Sequence, residues 1–484
     1  REALRMGAET FHSLKSVREI RGFEIQQSHY EKARELERLS DSAQVVIKQA
    51  NLFDLNLKRD LSWQTNGKLL VLGNPPWVTN AELSVLESFI LPRKSNLKKL
   101  AGLEAITGSA NFDLTEFIWI KLILELAEEQ PAFALLCKTS VARNILQFLH
   151  DRSLPLAKSW LRRIDAHKFF DAAVDACLFY VELGGQKSQY DVEVFADLQA
   201  NVPESVMSVI NGRVVSDTEA YHRIAFADGI CQLVWRQGIK HDAASVFELE
   251  SDHCLLRNKL GEKVAVESNY IYPMVKGSDL FHGKLAEPPR YMIVPQTRIG
   301  QDTHGLEMAA PKLWQYLNHH QDTFSKRKST IYQSQPPFSI FGIGDYSFAL
   351  YKVGVSGLHK VPRFRFLAPI EGKPVMLDDT SYFIACESPE QAALLTALLN
   401  HQTTLDFLRA TMFTAAKRPI TKKLLQRIDL KALLLRLSRE SLIASAESEL
   451  RLGGQSYSAK WPDNLETVVF PRQAETQQTL FAAR

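Results

Sequence analysis

The tetrapeptide Asn74-Pro75-Pro76-Trp77 combines residue types that suit chemistry on a flat group carrying an amino nitrogen. The Asn74 side-chain oxygen and the Pro75 carbonyl are hydrogen-bond acceptors, and Trp77 supplies an aromatic face beside them. Two prolines fix two φ angles and remove two backbone donors, so the loop is stiff. An adenine ring matches this combination. A strand-ending turn without chemistry is the alternative, because Asn-Pro pairs are common turn formers.

The apolar run at residues 69–73, directly before the tetrapeptide, predicts a buried parallel strand. Open α/β sheets bind ligands at the carboxyl ends of their strands, so this strand would present the tetrapeptide at a ligand-binding edge. Strand and helix signals alternate from the start of the chain to Gly185, as an α/β sheet with parallel strands requires. The predicted strands are 18–25, 45–50, 69–73, 132–137 and 177–183, and the last of them could pair antiparallel. The main predicted helices are 26–40 and an amphipathic helix at 111–129. Ser109, Asn111 or Asp113 supplies the N-cap of the second helix.

Polar residues also follow the first two predicted strands. Glu24, with its neighbour Ile25, ends the first strand, and a carboxylate at that place can bind two adjacent ribose hydroxyls. After the second strand, either Asn51 or Asp54 offers a side-chain oxygen to an adenine amino group, and Leu52 can cover the ring. Ordinary surface loops are the alternative in both places.

A pair of aromatic residues, Phe169-Phe170, lies in an irregular stretch before the last predicted strand of this half. An aromatic side chain on a loop there can clamp a base from the side opposite Trp77. Core packing is the alternative function of the pair.

Composition limits the remaining classes of protein. With 484 residues, 45% of them hydrophobic, the chain can form two or three domains. The net charge of +3 is too small to identify a polyanionic partner, although a modest basic excess after residue 200 permits DNA binding. The cysteines form no C-x-x-C pair, so neither a metal site nor a disulfide framework is predicted, and a cytoplasmic location fits. The most apolar helix candidate, residues 117–127, is too short for a membrane span, and no membrane partner is expected.

Six segments, in order, resemble the gamma-class adenine-N6 DNA methyltransferases of bacterial restriction–modification systems. They are GFEIQQSHYEKAR, ANLFDLNL, LLVLGNPPWV, SANFDLTEFIWIKLILELA, AFALLCKTSVARNIL and KFFDAAVDACLFYVEL, and they lie within residues 18–185. The resemblance implies a Rossmann-like sheet that uses S-adenosylmethionine. It also implies roles for the residues named above: catalysis by Asn74, Pro75, Pro76 and Trp77, cofactor binding by Glu24, Ile25, Asn51, Leu52 and Asp54, and stacking on a flipped-out adenine by Trp77, Phe169 and Phe170.

The second half of the chain is similar to the target-recognition part of such enzymes. The similar stretches are WRQGIKHDAASVFEL, YPMVKGSDL, FSIFGIGDYSF, KVPRFRF and FTAAKRPIT. The expected organisation is a catalytic domain at 1–200, a mixed α+β DNA target-recognition domain at 201–470 and a tail at 471–484, with the boundary itself between about residues 185 and 215. Double-stranded DNA is the implied partner, with contacts from Lys276, Arg363, Arg365, Lys417 and Arg418. A cognate restriction endonuclease is a further implied partner, since no PD-(D/E)xK-like cluster stands out in the chain.

The sequence departs from the family pattern at the glycine-rich loop that holds the cofactor. Between residues 1 and 73 the glycines are Gly7, Gly22, Gly67 and Gly73, with no G-x-G. Since that loop precedes the ribose carboxylate by about 20 residues, we expect it upstream of Arg1, with the central first strand of the sheet. Two other functions stay open: a methyltransferase acting on RNA or on a protein glutamine, and a catalytically silent DNA-binding specificity subunit.

Overall fold

The computed structural model describes residues 17–38, 44–77, 113–170, 175–185, 190–252, 255–285, 290–414, 416, 418–455 and 460–471. The chain divides into two compact units, residues 1–219 and 220–484. Four β-sheets and many helices are found in the described ranges, so the α/β class is confirmed in its coarse form. The segment 1–16 and the residues Ser109, Asn111 and Lys417 lie outside the described residues. None of the helices in these ranges is both long enough and apolar enough to cross a membrane.

The first unit begins with two parallel strands, β1 (Glu19–Glu24) and β2 (Gln44–Gln49), which pair from Glu19↔Gln44 to Glu24↔Gln49. Helix α1 (Gln27–Arg38) connects them. The strands end side by side because parallel strands in register bring their carboxyl ends to one edge. These elements agree with the predicted strand–helix–strand order to within two residues at each end.

A second sheet in this unit has seven strands in the order β3-β4-β6-β5-β7-β8-β9. The strands are β3 (Leu70–Gly73), β4 (Ala132–Lys138), β5 (Leu156–Asp165), β6 (Asp175–Leu183), β7 (Asp191–Phe195), β8 (Ser205–Ile210) and β9 (Arg213–Val215). β3 pairs parallel with β4, whereas β6 pairs antiparallel with both β4 and β5. The antiparallel pairing of the late strand is thus confirmed, but the sheet is mixed, and β5 was not predicted.

Helix α3 (Leu114–Leu126) is buried on all its faces and therefore is not the amphipathic helix that the sequence predicted. Even Thr115, Glu116 and Lys121 are buried in it. A helix that is apolar nearly all round belongs in a core. Its N-cap is Asp113, as predicted, whose side chain accepts a hydrogen bond from the Thr115 N–H. The other α-helices in the described part of this unit are α2 (Leu57–Asp60), α4 (Thr139–Asp151) and α5 (Ala166–Phe170).

The second unit holds two further sheets. One has the order β10-β19-β16-β17 and the other β13-β12-β11-β15-β14-β18. The strands are β10 (Arg236–Gln237), β11 (Glu248–Asp252), β12 (Leu255–Asn258), β13 (Lys263–Val264), β14 (Ile271–Val275), β15 (Arg290–Ile293), β16 (Tyr351–Ser356), β17 (Phe364–Leu367), β18 (Met376–Leu377) and β19 (Ser381–Cys386).

Several short helices precede or interrupt these sheets. They are α6 (Thr218–Ile224), α7 (Ala244–Phe247), α8 (Gly277–His282), α9 (Leu306–Ala309), α10 (Pro311–His319) and α11 (Gln321–Ser325). The carboxyl-terminal helices are α12 (Pro389–Asn400), α13 (Gln402–Thr411), α14 (Lys422–Leu425), α15 (Leu430–Arg436), α16 (Arg439–Leu452) and α17 (Glu466–Val469). The sequence also predicts helices at 390–409 and 422–449. The structure breaks them into shorter ones because His401, Asp429 and Ser438 each cap a new helix with their side chains.

Candidate active site

The tetrapeptide lies where the sequence predicted it, immediately after β3. Gly73 pairs with Leu135 of β4, and the extended chain of Asn74 to Trp77 follows. Asn74 is exposed. No described residue donates a hydrogen bond to the Asn74 side chain or to the Pro75 carbonyl. Both acceptors are therefore open to an external donor.

The Pro76 carbonyl, in contrast, is held by the start of helix α3. The Thr115 hydroxyl donates to it over 2.7 Å, and Thr115 is completely buried. Asp113, at the cap of the same helix, accepts a hydrogen bond from the Thr115 N–H at 2.9 Å and forms an ion pair with Lys138 at 2.8 Å. Lys138 ends β4, the strand beside β3. These contacts join the end of β4, the cap of α3 and the tetrapeptide loop into one corner. The sequence did not predict the functions of Thr115 and Lys138 in it.

A buried carboxyl group lies one residue further along α3. Burial raises the pKa of Glu116, and a hydrogen bond of 2.8 Å from the Asn144 side-chain amide opposes that rise. Asn144 belongs to helix α4, so this contact ties α4 to the helix that carries Thr115. Through this contact Glu116 helps to position the first turn of α3.

The loop after β2 is attached to the same helix α3. The Asn51 side-chain oxygen accepts a hydrogen bond from the Phe53 N–H at 3.0 Å, and the Phe53 ring packs on Phe117 with centroids 5.3 Å apart. The Lys121 ammonium donates to the Leu55 carbonyl at 2.7 Å. Helix α3 therefore contacts the loop after β2 through Phe117 and Lys121, and it contacts the tetrapeptide through Thr115 in its first turn.

Glu24 ends β1 and Asn51 follows β2, so both lie at the carboxyl ends of two paired strands. Both residues are half-buried. One carboxylate oxygen of Glu24 accepts a hydrogen bond from the Gln26 N–H at 2.8 Å, and the other oxygen has no hydrogen bond to a described residue. A half-buried carboxylate with one open oxygen suits a ribose hydroxyl. Asp54 is exposed and Leu52 half-buried, so both Asn51 and Asp54 keep a side-chain oxygen near this edge.

The two aromatic positions differ in environment. Trp77 is half-buried and packs against a core cluster on one face of the seven-stranded sheet that includes Ala132 and Ala134. Phe169 is 58% exposed, with the Lys168 ammonium 5.6 Å from its ring centroid. It lies in helix α5, not in an irregular stretch as predicted, and the Phe170 side chain is not described.

A comparison with known proteins shows the family of the chain. Over 423 residues it is 36% identical to the type II methyltransferase M.NspV of Nostoc sp., an alignment that covers 87% of this chain and 88% of the relative. The chain belongs to the type II methyltransferase family. Type II methyltransferases are the modification enzymes of restriction–modification systems. No protein-family model matches the chain.

Solved structures that resemble this type II methyltransferase are more distant. The type IIL restriction-modification enzyme MmeI in complex with DNA has a TM-score of 0.47 and 11% identity, over 95% of this chain and 66% of that one. A nuclease-deletion mutant of the type ISP enzyme LlaGI with a DNA substrate mimic has a TM-score of 0.44 and 10% identity, over 95% and 51%. The chain spans about two thirds and about half of these enzymes, and likeness at this level adds nothing to the family assignment.

In this methyltransferase the four described basic residues that were predicted to contact DNA have intramolecular partners. The Arg365 guanidinium donates to the Leu280 carbonyl at 2.9 Å and to the Phe281 carbonyl at 3.2 Å, at the end of helix α8. Arg363 is exposed and lies 4.5 Å above the Phe281 ring. Arg418 donates to the Asp379 carbonyl at 2.9 Å. Of these, the exposed Arg363 is the best placed to meet a phosphate.

Lys276 is part of a buried ionic group. The Lys276 and Lys259 ammonium groups each lie 2.6 Å from Glu248 Oε2. His241 Nε2 lies 3.6 Å from the other carboxylate oxygen, Oε1. Burial alone would raise the pKa of Glu248, but hydrogen bonds from these three side chains hold it well below its usual range. Lys276 therefore has a structural function in this unit, in addition to any contact with DNA.

Proposed function

We propose that this type II methyltransferase transfers the methyl group of S-adenosylmethionine to N6 of an adenine in duplex DNA, as the modification enzyme of a restriction–modification system in the cytoplasm. The observation that carries the proposal is the pair of open acceptors, Asn74 Oδ1 and the Pro75 carbonyl, on a loop that Thr115 holds rigidly. Two acceptors in a stiff loop match the two N–H bonds of an exocyclic amino group.

The acceptors act on the nucleophile. The lone pair of an aromatic amino group is delocalised into its ring, so the nitrogen attacks poorly. Hydrogen bonds to Asn74 and Pro75 favour a more tetrahedral nitrogen whose lone pair leaves the ring plane, and they stabilise the positive charge that develops on it. Positioning supplies the rest of the rate, so no strong general base is required. The nitrogen would form its bond to the methyl carbon as the sulfur–methyl bond breaks, and it would then lose one proton to solvent water.

The target base must leave the helix before it can reach this loop. Flipping a base out of a duplex costs a few kcal/mol. Stacking on one aromatic side chain is worth about 1–3 kcal/mol, and we assign this function to Trp77, with Phe169 or Phe170 covering the opposite face. The half-buried Trp77 packs against the core cluster on one face of the seven-stranded sheet, which limits the movement of its ring.

Cofactor binding is assigned to the carboxyl ends of β1 and β2 in a Rossmann-like sheet. Glu24 accepts from the ribose hydroxyls, with Ile25 beside it, and Leu52 covers the adenine ring. Asn51 or Asp54 accepts from its amino group. When bound, S-adenosylmethionine supplies the methyl group. DNA reading is assigned to residues 201–470, with Arg363 as the first candidate for a phosphate contact and Lys276, Arg365, Lys417 and Arg418 as further ones.

The test is tritiated methyl transfer to unmethylated genomic DNA, followed by mass spectrometry of the nucleosides. We expect N6-methyladenine, and we expect Asn74→Ala to abolish the transfer while DNA binding in a gel-shift assay persists. Asn56→Ala is the matched control, since this exposed asparagine lies outside the tetrapeptide. Near-normal turnover by Asn74→Ala would remove Asn74 from the mechanism, and a different methylated base would overturn the N6 assignment.

Parallel incubations with RNA and with a protein substrate test the two other methyl acceptors. Transfer confined to either of them would refute the DNA proposal. A catalytically silent specificity subunit is the remaining alternative. It predicts sequence-specific DNA binding without methyl transfer and without heat on calorimetric titration with S-adenosylmethionine.

A further inference from the structure

A cluster of one carboxylate and two imidazoles in the second unit lies outside the residues discussed so far. Glu262 is on the hairpin between β12 and β13, His319 ends helix α10 and His320 follows it directly. One ligand atom from each of the three side chains lies within 4.8 Å of the corresponding atoms of the others. The hairpin and the two histidines are far apart in the sequence, so tertiary folding alone brings them together.

The position of the His320 imidazole is difficult to explain without a ligand. Its Nε2 atom is buried and has no hydrogen-bond partner within the described part of the chain, and the residue is only 8% exposed. Glu262 Oε2 lies 2.9 Å away but without hydrogen-bond geometry. A buried nitrogen without a partner is costly. A nitrogen and a carboxylate oxygen that converge without sharing a proton have the arrangement of two ligands of one cation.

Neighbouring residues fix the carboxylate in this position. Asn258, itself buried, donates from its side-chain amide to Glu262 Oε2 at 2.6 Å and accepts from the Glu262 N–H at 3.0 Å. The same amide donates to the Tyr316 hydroxyl at 3.0 Å, which donates in turn to the Val246 carbonyl at 2.9 Å. Gly261, with φ of +83°, allows the hairpin to turn immediately before Glu262. Outer hydrogen bonds of this kind orient metal ligands in proteins.

We propose that Glu262, His319 and His320 bind one divalent transition-metal ion of the zinc type. Two imidazoles and a carboxylate are ligands that Zn²⁺ accepts, at about 2.0–2.2 Å, whereas Mg²⁺ and Ca²⁺ prefer oxygen alone. The three ligand atoms lie within 4.8 Å of one another, so the exposed His319 side chain can approach an ion held by the other two residues, with water as the fourth ligand. The ion joins the β12–β13 hairpin to the junction of α10 and α11, two segments with no covalent link nearby.

The test uses the full-length, tag-free chain after dialysis against a chelator. Isothermal titration with Zn²⁺ should saturate at one equivalent, and Co²⁺ should produce the visible absorption of a tetrahedral site. Both His319→Ala and Glu262→Gln should weaken binding by at least about tenfold, since even outer-shell changes have effects of that size. These two side chains are exposed, so their replacement leaves the core intact, which a change of the buried His320 would not.

The matched control is His304→Ala. His304 is another exposed histidine beside a carboxylate, 2.7 Å from Asp302, but it belongs to no group of three ligands among the described residues. It should bind Zn²⁺ as the parent does, and its melting temperature should rise equally on addition of Zn²⁺. No saturable binding by the parent, or full retention of binding by His319→Ala and Glu262→Gln, would overturn the proposal.

Discussion

Replacing Thr115 with valine removes one hydroxyl group, keeps the shape of the side chain, and should slow methyl transfer far more than it destabilises the fold. The Thr115 hydroxyl is the described hydrogen-bond donor to the Pro76 carbonyl, over 2.7 Å. Without it, the tetrapeptide loses its link to the first turn of α3, and the acceptors Asn74 and Pro75 lose their fixed position relative to the sheet.

The expected magnitudes follow from the burial of the two partners. A buried acceptor without a donor costs about 1–3 kcal/mol. Thr115 is completely buried but Pro76 is exposed, so water can reach the carbonyl and the cost should lie near the lower limit, about 1 kcal/mol. For a unit of this size that lowers the melting temperature by about 2–4 °C. A misplacement of the loop by about 1 Å can cost about 100-fold in rate, and we expect a decrease of about 10- to 100-fold.

The assay is single-turnover methyl transfer to DNA at saturating S-adenosylmethionine, with the DNA dissociation constant and the melting temperature measured in parallel. Thr115→Ser should restore most of the rate because the hydroxyl returns. Thr396→Val is the matched control: Thr396 is also completely buried and donates to the Ala392 carbonyl at 2.8 Å, but it lies in helix α12 of the second unit. Equal rates for Thr115→Val and Thr396→Val would refute the positioning argument.

Three further changes test other parts of the protein. Trp77→Phe should keep substantial methyl transfer, whereas Trp77→Ala should lose about 1–3 kcal/mol of stacking, and equal rates for the two would exclude stacking. Arg363→Ala should lower the salt slope of DNA binding by about 1. Arg365→Ala should mainly lower the melting temperature, because the Arg365 guanidinium donates to two carbonyls at the end of α8. The reverse pattern would contradict this division. Burial raises the pKa of Glu116, so the folded state binds this proton more tightly than the unfolded state, and the stability that the carboxyl group contributes is lost as pH rises through its folded pKa. Urea unfolding of Glu116→Gln should therefore show a gain over the parent that increases with pH, and a gain independent of pH would be the contrary result.

Five strands of the first unit were predictable from the sequence. β1, β2, β3, β4 and β6 each begin and end within two residues of the prediction, because short apolar runs with defined breakers are local signals. The Asp113 cap was predictable for the same reason, since its hydrogen bond reaches only two residues along the chain. The place of the tetrapeptide Asn74 to Trp77 directly after β3 was predictable from the apolar run that forms this strand.

Strand β5 could not be predicted in this way because its polar residues interrupt the apolar pattern. Arg162, in the middle of the strand, donates to the Leu198 and Ala200 carbonyls and lies 4.2 Å from the Phe195 ring centroid. These partners come from a segment beyond the next strand of the chain, β6. A charged side chain can occupy a sheet only when such partners are present, and the local sequence does not report them.

The sequence by itself therefore determined strands β1, β2, β3, β4 and β6, the loop with two acceptors, and the assignment to the methyltransferases of restriction–modification systems. Tertiary structure decided which acceptors remain open, since Thr115 holds the Pro76 carbonyl and leaves Asn74 and Pro75 without a described donor. It also decided that Arg365 caps helix α8 and that Glu262 meets two histidines from a distant helix end. Local patterns encode backbone conformation, whereas a side chain's partners depend on how distant segments pack, and for that reason only the folded chain reveals them.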